Sequence, residues 1–132
     1  MDQRKVNPWA WQDQFGFSQA IEVSGAERVL YCAGQTSSDE NGATVGGDDM
    51  AAQAAKALDN LETVLGEAGL SLANVARLNL YVTDMERFFV QAAPVVGERL
   101  GRAGIQPAST LLGVTRLAFP DLLIEIEATA VA

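Results

Sequence analysis

The residues able to do chemistry gather in the last quarter of the chain, in Pro107-Ala108-Ser109-Thr110 and in Ile124-Glu125-Ile126-Glu127-Ala128. Glu125 and Glu127 are two apart, so on a strand they share one side, about 7 Å from each other, while Ile124, Ile126 and Ala128 take the other side. Periodicity leaves two readings open. The carboxylates face water on a half-buried strand, or one of them sits in a cleft to orient a water molecule or shuttle a proton. Ser109 and Cys32 are the candidate nucleophiles, and each needs a base or a cation beside it. The chain has no histidine to serve as one. Ser109 therefore reads as a hydrogen-bonding group and Cys32 as a packed thiol. The same absence removes Ser-His-Asp and Cys-His sites and His-containing metal sites, and a lone cysteine removes cysteine-rich zinc or iron–sulfur sites. Gly46-Gly47 lacks the lysine and spacing of a phosphate loop. No metal and no cofactor is expected. Carboxylate, hydroxyl, guanidinium, backbone amide and bound water remain.

The elements that must position these groups follow from hydrophobic periodicity. Residues 17–23 alternate and read as a strand. Ser24-Gly25-Ala26-Glu27 is a turn and 28–35 a second strand, together a hairpin. Gly34-Gln35 ends that strand. Glycine there admits a ligand or another chain close to the backbone, or marks only the strand's end. Residues 36–47 form a polar loop. From 48 to 68 the period is helical, with Met50, Ala54, Ala57, Leu58, Leu61 and Leu65 on one stripe and Gln53, Lys56, Asp59 and Glu62 opposite. Asp48 and Asp49 suit its positive end and Gly69 its C′ position. A strand at 75–82 leads to Asp84, which caps a helix over 85–100 that Pro94 interrupts. Strands at 108–114 and 122–130 close the chain.

The order β-β-α-β-α-β-β, behind an N-terminal arm at 1–14, reads as a single α+β domain over 1–132 with both helices on one sheet face. Leu30, Leu78, Leu80 and Leu111 are assigned to the other face, which is expected to pack against another subunit. Trp9 and Trp11 either anchor the arm or flank a subunit cleft.

Length and charge bound the rest. At 132 residues the chain makes one domain with one core. A net charge of −8 and only nine basic residues, scattered along the chain, argue against a nucleic-acid partner, which needs a basic face. No apolar run approaches the ~20 residues of a membrane span. No apolar segment follows the polar Met1-Asp2-Gln3-Arg4-Lys5, so a cytoplasmic protein without membrane contact is expected.

The assembled pattern resembles the Rid family (YjgF type, also labelled endoribonuclease L-PSP) over about residues 15–131. Tyr31-Cys32-Ala33-Gly34-Gln35 resembles the family's strand ending in Ser-Gly-Gln. Gln53-Ala54 and Leu58-Asp59-Asn60-Leu61 resemble its first helix, and Tyr81-Val82-Thr83-Asp84-Met85 with Phe88 its strand-to-helix junction. Pro107-Ala108-Ser109-Thr110 and Ile124-Glu125-Ile126-Glu127-Ala128-Thr129-Ala130 resemble its closing signature. The resemblance implies a chorismate-mutase-like fold and a homotrimer whose sheets line a central β-barrel, with a small-molecule ligand in each inter-subunit cleft. Members with the full motif hydrolyse reactive enamines and imines to ketoacids and ammonia. By the same resemblance Glu125 is the catalytic residue that positions water. Ser109, Gly34, Phe17, Ala33 and Phe88 are the substrate-binding positions, Gly34 offering backbone contacts and Phe17 covering the ligand.

The sequence departs from that pattern where it matters most. Ser109 stands where the family has an arginine that grips the substrate carboxylate in a bidentate ion pair, which a serine hydroxyl cannot replace. Ala33 stands for a serine, Phe17 for a tyrosine and Ala92 for a frequent asparagine. Glu125 is retained, one residue further from the Pro-Ala turn than usual because of Ala118-Phe119-Pro120-Asp121. The cleft implied is more apolar and not built for a small anionic imine, unless Arg77, Arg102 or Arg116 of an adjacent chain supplies the cation. The expected function is a hydrolase or deaminase acting on an imine, enamine or related C–N substrate altered by the loss of that arginine. The alternative is a non-catalytic trimer that binds a small metabolite or regulates a partner. Ribonuclease activity comes third, against the acidic charge and the missing histidine.

Overall fold

The computed structural model describes residues 1–132. Five strands form the main sheet: β3 (Val29–Tyr31), β4 (Gln35–Thr36), β5 (Val75–Val82), β6 (Ala108–Gly113) and β7 (Ile124–Val131). Its order is β3-β7-β5-β6, and β4 continues the β3 edge beside β7. Only β5 and β6 run parallel. No helix is long and apolar enough to cross a membrane.

Helix α1 (Met50–Glu67) forms where the apolar stripe predicts it. Met50, Ala54, Ala57, Leu58, Leu61 and Leu65 are all fully buried. The Asp49 carboxylate caps it, accepting from the Ala52 amide at 3.1 Å. Gly69 ends it at φ 76°. Its amide bonds the Gly66 carbonyl while Leu70 bonds Leu65, the paired closure that favours glycine at this position. Gln53 corrects the expected polar face, because it is fully buried. Its Nε2 donates to the Gly47 and Asp121 carbonyls at 2.9 and 3.0 Å, and its Oε1 accepts from the Leu123 amide at 2.9 Å. Three bonds offset its burial and fix the chain's entry into β7.

The second helical segment is broken as Pro94 predicts. Asp84 caps α2 (Met85–Arg87), accepting from the Arg87 amide at 3.0 Å. A π-helical turn (Phe88–Ala92) follows, and α3 (Ala93–Ala103) starts with Pro94 in its first turn. Proline has no N–H to bond back one turn, so the ladder widens before it and resumes after it.

Two expectations are overturned. The hairpin between 17–23 and 28–35 does not form. Strand β2 (Ala20–Ser24) pairs instead with an unforeseen strand in the N-terminal arm, β1 (Asp2–Val6), in a separate two-stranded sheet. Gly25, at φ 69°, turns the chain away. Glu27 and Arg28 then bond the Ala132 carbonyl, and β3 zips onto β7. The predicted second strand is also interrupted at 32–34, between β3 and β4.

The second correction concerns the sheet's two faces. Residues paired across a sheet share a face. Leu78 pairs Ala128 and Ser109, Leu80 pairs Ile126 and Leu111, and Leu30 pairs Ala130. All four leucines therefore face the helices and join the core. The open face carries Arg77, Asn79, Tyr81, Glu125, Glu127 and Thr129, with Tyr31 80% exposed. It is polar and aromatic, not leucine-rich.

Candidate functional site

The register divides the expected site residues into two groups on opposite faces of the sheet. Ser109 pairs Leu78, on the helix side, and Glu125 pairs Tyr81, on the open side. The groups also lie toward opposite edges. Ser109 is on β6, one edge strand, while Gly34 and Glu125 meet where β7 borders the other edge, β3 and β4.

The first group lines a cleft of about 640 Å³ between β5, β6, α3 and residues 13–17. Ser109, Phe17 and Phe88 lie together on its wall with Leu78, Leu80 and Leu111. Ala92 does not reach it and is fully buried in the π-helical turn. A one-turn 3₁₀ helix (Trp11–Phe15) brings Phe17 here. Trp11 packs edge-on against Phe17, ring centroids 5.8 Å apart, and against Phe15 at 6.4 Å. Trp11 thus flanks the cleft. Trp9 is exposed, and its carbonyl accepts from the buried Gln12 at 2.8 Å. Polar bonds staple this segment to the strand entry. Gln106 Nε2 donates to the Phe17 carbonyl and to Asp13 Oδ1, both at 2.8 Å, and the Ser18 amide bonds the Pro107 carbonyl at 2.9 Å. Asp13 is the only charged residue lining the cleft.

No arginine of the same chain reaches it. Arg116 donates to the Leu117 and Ala118 carbonyls, and Arg102 pairs with Glu98. Arg77 lies on the open face, where its charge acts on Glu127.

The second group centres on Glu125, which is half-buried. A Cβ built on Gly34 would stand 2.7 Å from Glu125 Cδ and 2.8 Å from its Cγ. The close approach that glycine permits is therefore made by the Glu125 side chain itself, laid across the interruption between β3 and β4. Ala33 is exposed beside it. Gly34→Ala is expected to leave the fold in place while rotating the carboxylate away, because only a flexible side chain has to shift. The melting temperature should fall by no more than a few degrees; a fall as large as that of a core substitution would show that the backbone, and not the Glu125 side chain, has to give.

The neighbouring carboxylate behaves differently. Glu127 accepts hydrogen bonds from the Tyr81 hydroxyl and, at 3.0 Å, from Asn79 Nδ2. Asn79 Oδ1 accepts in turn from the Thr110 amide at 3.2 Å. The Tyr81 bond first, then the Asn79 bond and the Arg77 charge, hold the Glu127 carboxyl below the ordinary glutamate range. The same bond, with burial and the charges of Glu127 and Glu125, pushes the Tyr81 phenol up. Glu127 is thus a fixed anion that knits β5, β6 and β7, whereas no side-chain donor of the same chain reaches Glu125. Periodicity put the two glutamates on one side and could not separate their roles. Asn79 and Tyr81, alternating on the neighbouring strand, are the signal that could have.

No three histidine, cysteine or acidic side chains are grouped as a metal would need. Cys32 is a buried free thiol whose pKa burial raises, opposite to what a nucleophile requires.

The sequence profile described as Endoribonuclease L-PSP matches residues 10–132. A RutC family protein of Pyrococcus abyssi is 36% identical, covering 86% of this chain and 84% of its own. The crystal structure of a Rid family protein of unknown function, YyfB from Yersinia pestis, superposes with a TM-score of 0.85 at 39% identity, over 100% of both chains. The 2-iminobutanoate/2-iminopropanoate deaminase of Escherichia coli is 34% identical over 63% of this chain and 64% of its own.

Proposed function

The chain belongs to the endoribonuclease L-PSP (Rid) family, and from that premise we propose that it hydrolyses a carbon–nitrogen double bond in a site closed by two subunits. The observation that carries this reading is the division of the site residues between opposite edges of one sheet. A single subunit holds a binding cleft whose one carboxylate, Asp13, is engaged by Gln12 and Gln106, and, away from that cleft, the carboxylate of Glu125, which no side-chain donor of its own chain engages. The β6 edge of one subunit would meet the β3/β4 edge of the next with the two sheets turned at an angle, which brings the helix-side cleft of one against the open-side Glu125 of the other. Such a head-to-tail contact repeats around a closed ring, and the resemblance gives that ring three members.

In the assembled site Glu125 accepts a proton from water as the oxygen adds to the imine carbon. The proton passes to nitrogen, the carbinolamine collapses, the C–N bond breaks, and a carbonyl compound and ammonia leave. A positioned carboxylate base contributes about 10²–10⁴-fold to such a step. Ser109 and the backbone at Gly34 orient the ligand, and Phe17, Phe88 and the exposed Ala33 bound it. The similarity to an iminobutanoate/iminopropanoate deaminase supports the reaction class. Ammonia release from imines generated in the assay, together with the mass of the assembly by sedimentation, tests the proposal. A monomer, or release no faster than spontaneous hydrolysis, contradicts it.

A second reading has its own support. The cleft lacks any cation, so a trimer that binds a metabolite without turning it over fits the same walls. Binding without ammonia release would favour it.

A further inference from the structure

We propose that the cleft accepts an uncharged imine or enamine carrying an apolar, aromatic-sized substituent and no carboxylate; this rests on the hydrolase reading above. Three observations converge on it. First, the cleft measures about 640 Å³, within the range of roughly 300–1,000 Å³ that accommodates drug-sized ligands and ample for an aromatic ring. Second, its walls are mostly hydrophobic, and its one charged group is the anion Asp13. A carboxylate entering it would lose its hydration against Leu78, Leu80 and Phe88, find no cation of the same chain and meet the like charge of Asp13. A neutral imine meets neutral hydrogen-bonding groups, the Ser109 hydroxyl and the amides of Gln14 and Gln106. Third, α3 opens the mouth. A Cβ built on Gly97 meets nothing within 4 Å, and Gly97 lines the cleft. The groove is open to a ring at the place where a larger residue would close it.

The reaction is R–CH=NH + H₂O → R–CHO + NH₃. The water oxygen bonds to carbon and its proton travels through Glu125 to nitrogen. The C–N bond breaks with its electron pair leaving on ammonia, and nothing is oxidised or reduced.

The test uses the full chain. Benzaldimine is generated in the assay by an amine oxidase acting on benzylamine, and 2-iminopropanoate and 2-imino-3-phenylpropanoate by an amino-acid oxidase. Ammonia release from benzaldimine is expected to run about a hundredfold over background, the lower end for a positioned base, with both imino acids near background. Equal or faster release from the imino acids overturns the substrate class and leaves the hydrolase reading standing. In parallel, benzamide is expected to raise the melting temperature while benzoate does not. If that holds with no turnover of any imine, the ligand class stands and the hydrolase reading falls. If neither turnover nor a benzamide shift is seen, both fall.

Gly97→Trp locates the ligand. A tryptophan has a better helix propensity than the glycine it replaces, so the free protein should melt no lower, while the benzamide shift disappears and the assembly keeps its mass. A persisting shift places the ligand elsewhere. A change of mass shows that a second copy fills the cleft. Either result overturns the proposal.

Discussion

Replacing Glu125 by alanine is expected to lower imine hydrolysis by about 10²–10⁴-fold, the contribution of a positioned general base, while leaving the protein folded. Glu125 lies across Gly34 without a hydrogen-bond donor of its own chain, so its removal orphans no buried polar group. The loss in stability is limited to side-chain packing, about 1 kcal/mol. Glu125→Gln sharpens the test, because it keeps shape and packing and removes only the basicity; the same fall in rate is expected from it. Glu127→Ala is the contrast. It strips the Tyr81 hydroxyl and the Asn79 amide of their shared acceptor, so it should act first on stability. Ammonia-release rates and urea midpoints for the variants separate the two carboxylates. Wild-type rates from Glu125→Ala would end its catalytic assignment.

Ser109→Arg is expected to do the reverse and create an activity. Ser109 faces the cleft beside Leu78 and Leu111, where an arginine fork would offer a substrate carboxylate two parallel hydrogen bonds. Coupling energies of close charge pairs run from about 1.5 to 7 kcal/mol, so release of ammonia from 2-iminopropanoate should rise by at least about tenfold from background. The new guanidinium adds a charge to apolar walls, and part of its effect is spent on Asp13 at the rim, so turnover of an uncharged imine should fall in the same variant. The diagnostic result is this exchange of preferences, measured as the ratio of kcat/KM for the two substrates. No change in that ratio would mean that the substrate's carboxylate end does not lie at Ser109.

Much of the fold was legible because local rules agreed with the global packing. The stripe from Met50 to Leu65, the acidic start at Asp48 and Asp49, the cap at Asp84, the glycine at position 69 and the break at Pro94 each follow from one-dimensional patterns and appear in place. Pairing was less legible. Residues 17–23 and 28–35 read as a hairpin because they adjoin in sequence, yet β3 gains more by extending the buried β7 edge, and β2 pairs with β1, a strand with only one apolar residue, Val6, at its end. Strand alternation fixes which residues share a face but not which face meets the helices. That ambiguity sent Leu30, Leu78, Leu80 and Leu111 to the wrong side. Gln53 was misplaced because the carbonyls that satisfy it, at positions 47 and 121, are remote in sequence.

The candidate site divides along the same line. Glu125, Ser109, Gly34, Ala33, Phe17 and Phe88 could be named from residue type and motif. Their separation into a cleft and a carboxylate on opposite faces depends on register, which no single segment encodes. Asp13 and Gln106, which set the charge of the cleft and anchor its aromatic wall, carried no sequence signal, since their partners lie about 90 residues apart.

Subunit complementation tests the two-subunit site most directly. Glu125→Ala removes the base and Gly97→Trp blocks the cleft, and each variant alone should be inactive on benzaldimine. Co-expressed and assembled at random, they should regain about a quarter of wild-type activity, because a head-to-tail contact then pairs an open cleft from one subunit with an intact Glu125 from the next at that frequency. Mixed assemblies as inactive as either variant alone would show that cleft and carboxylate must belong to the same chain, and would contradict the account.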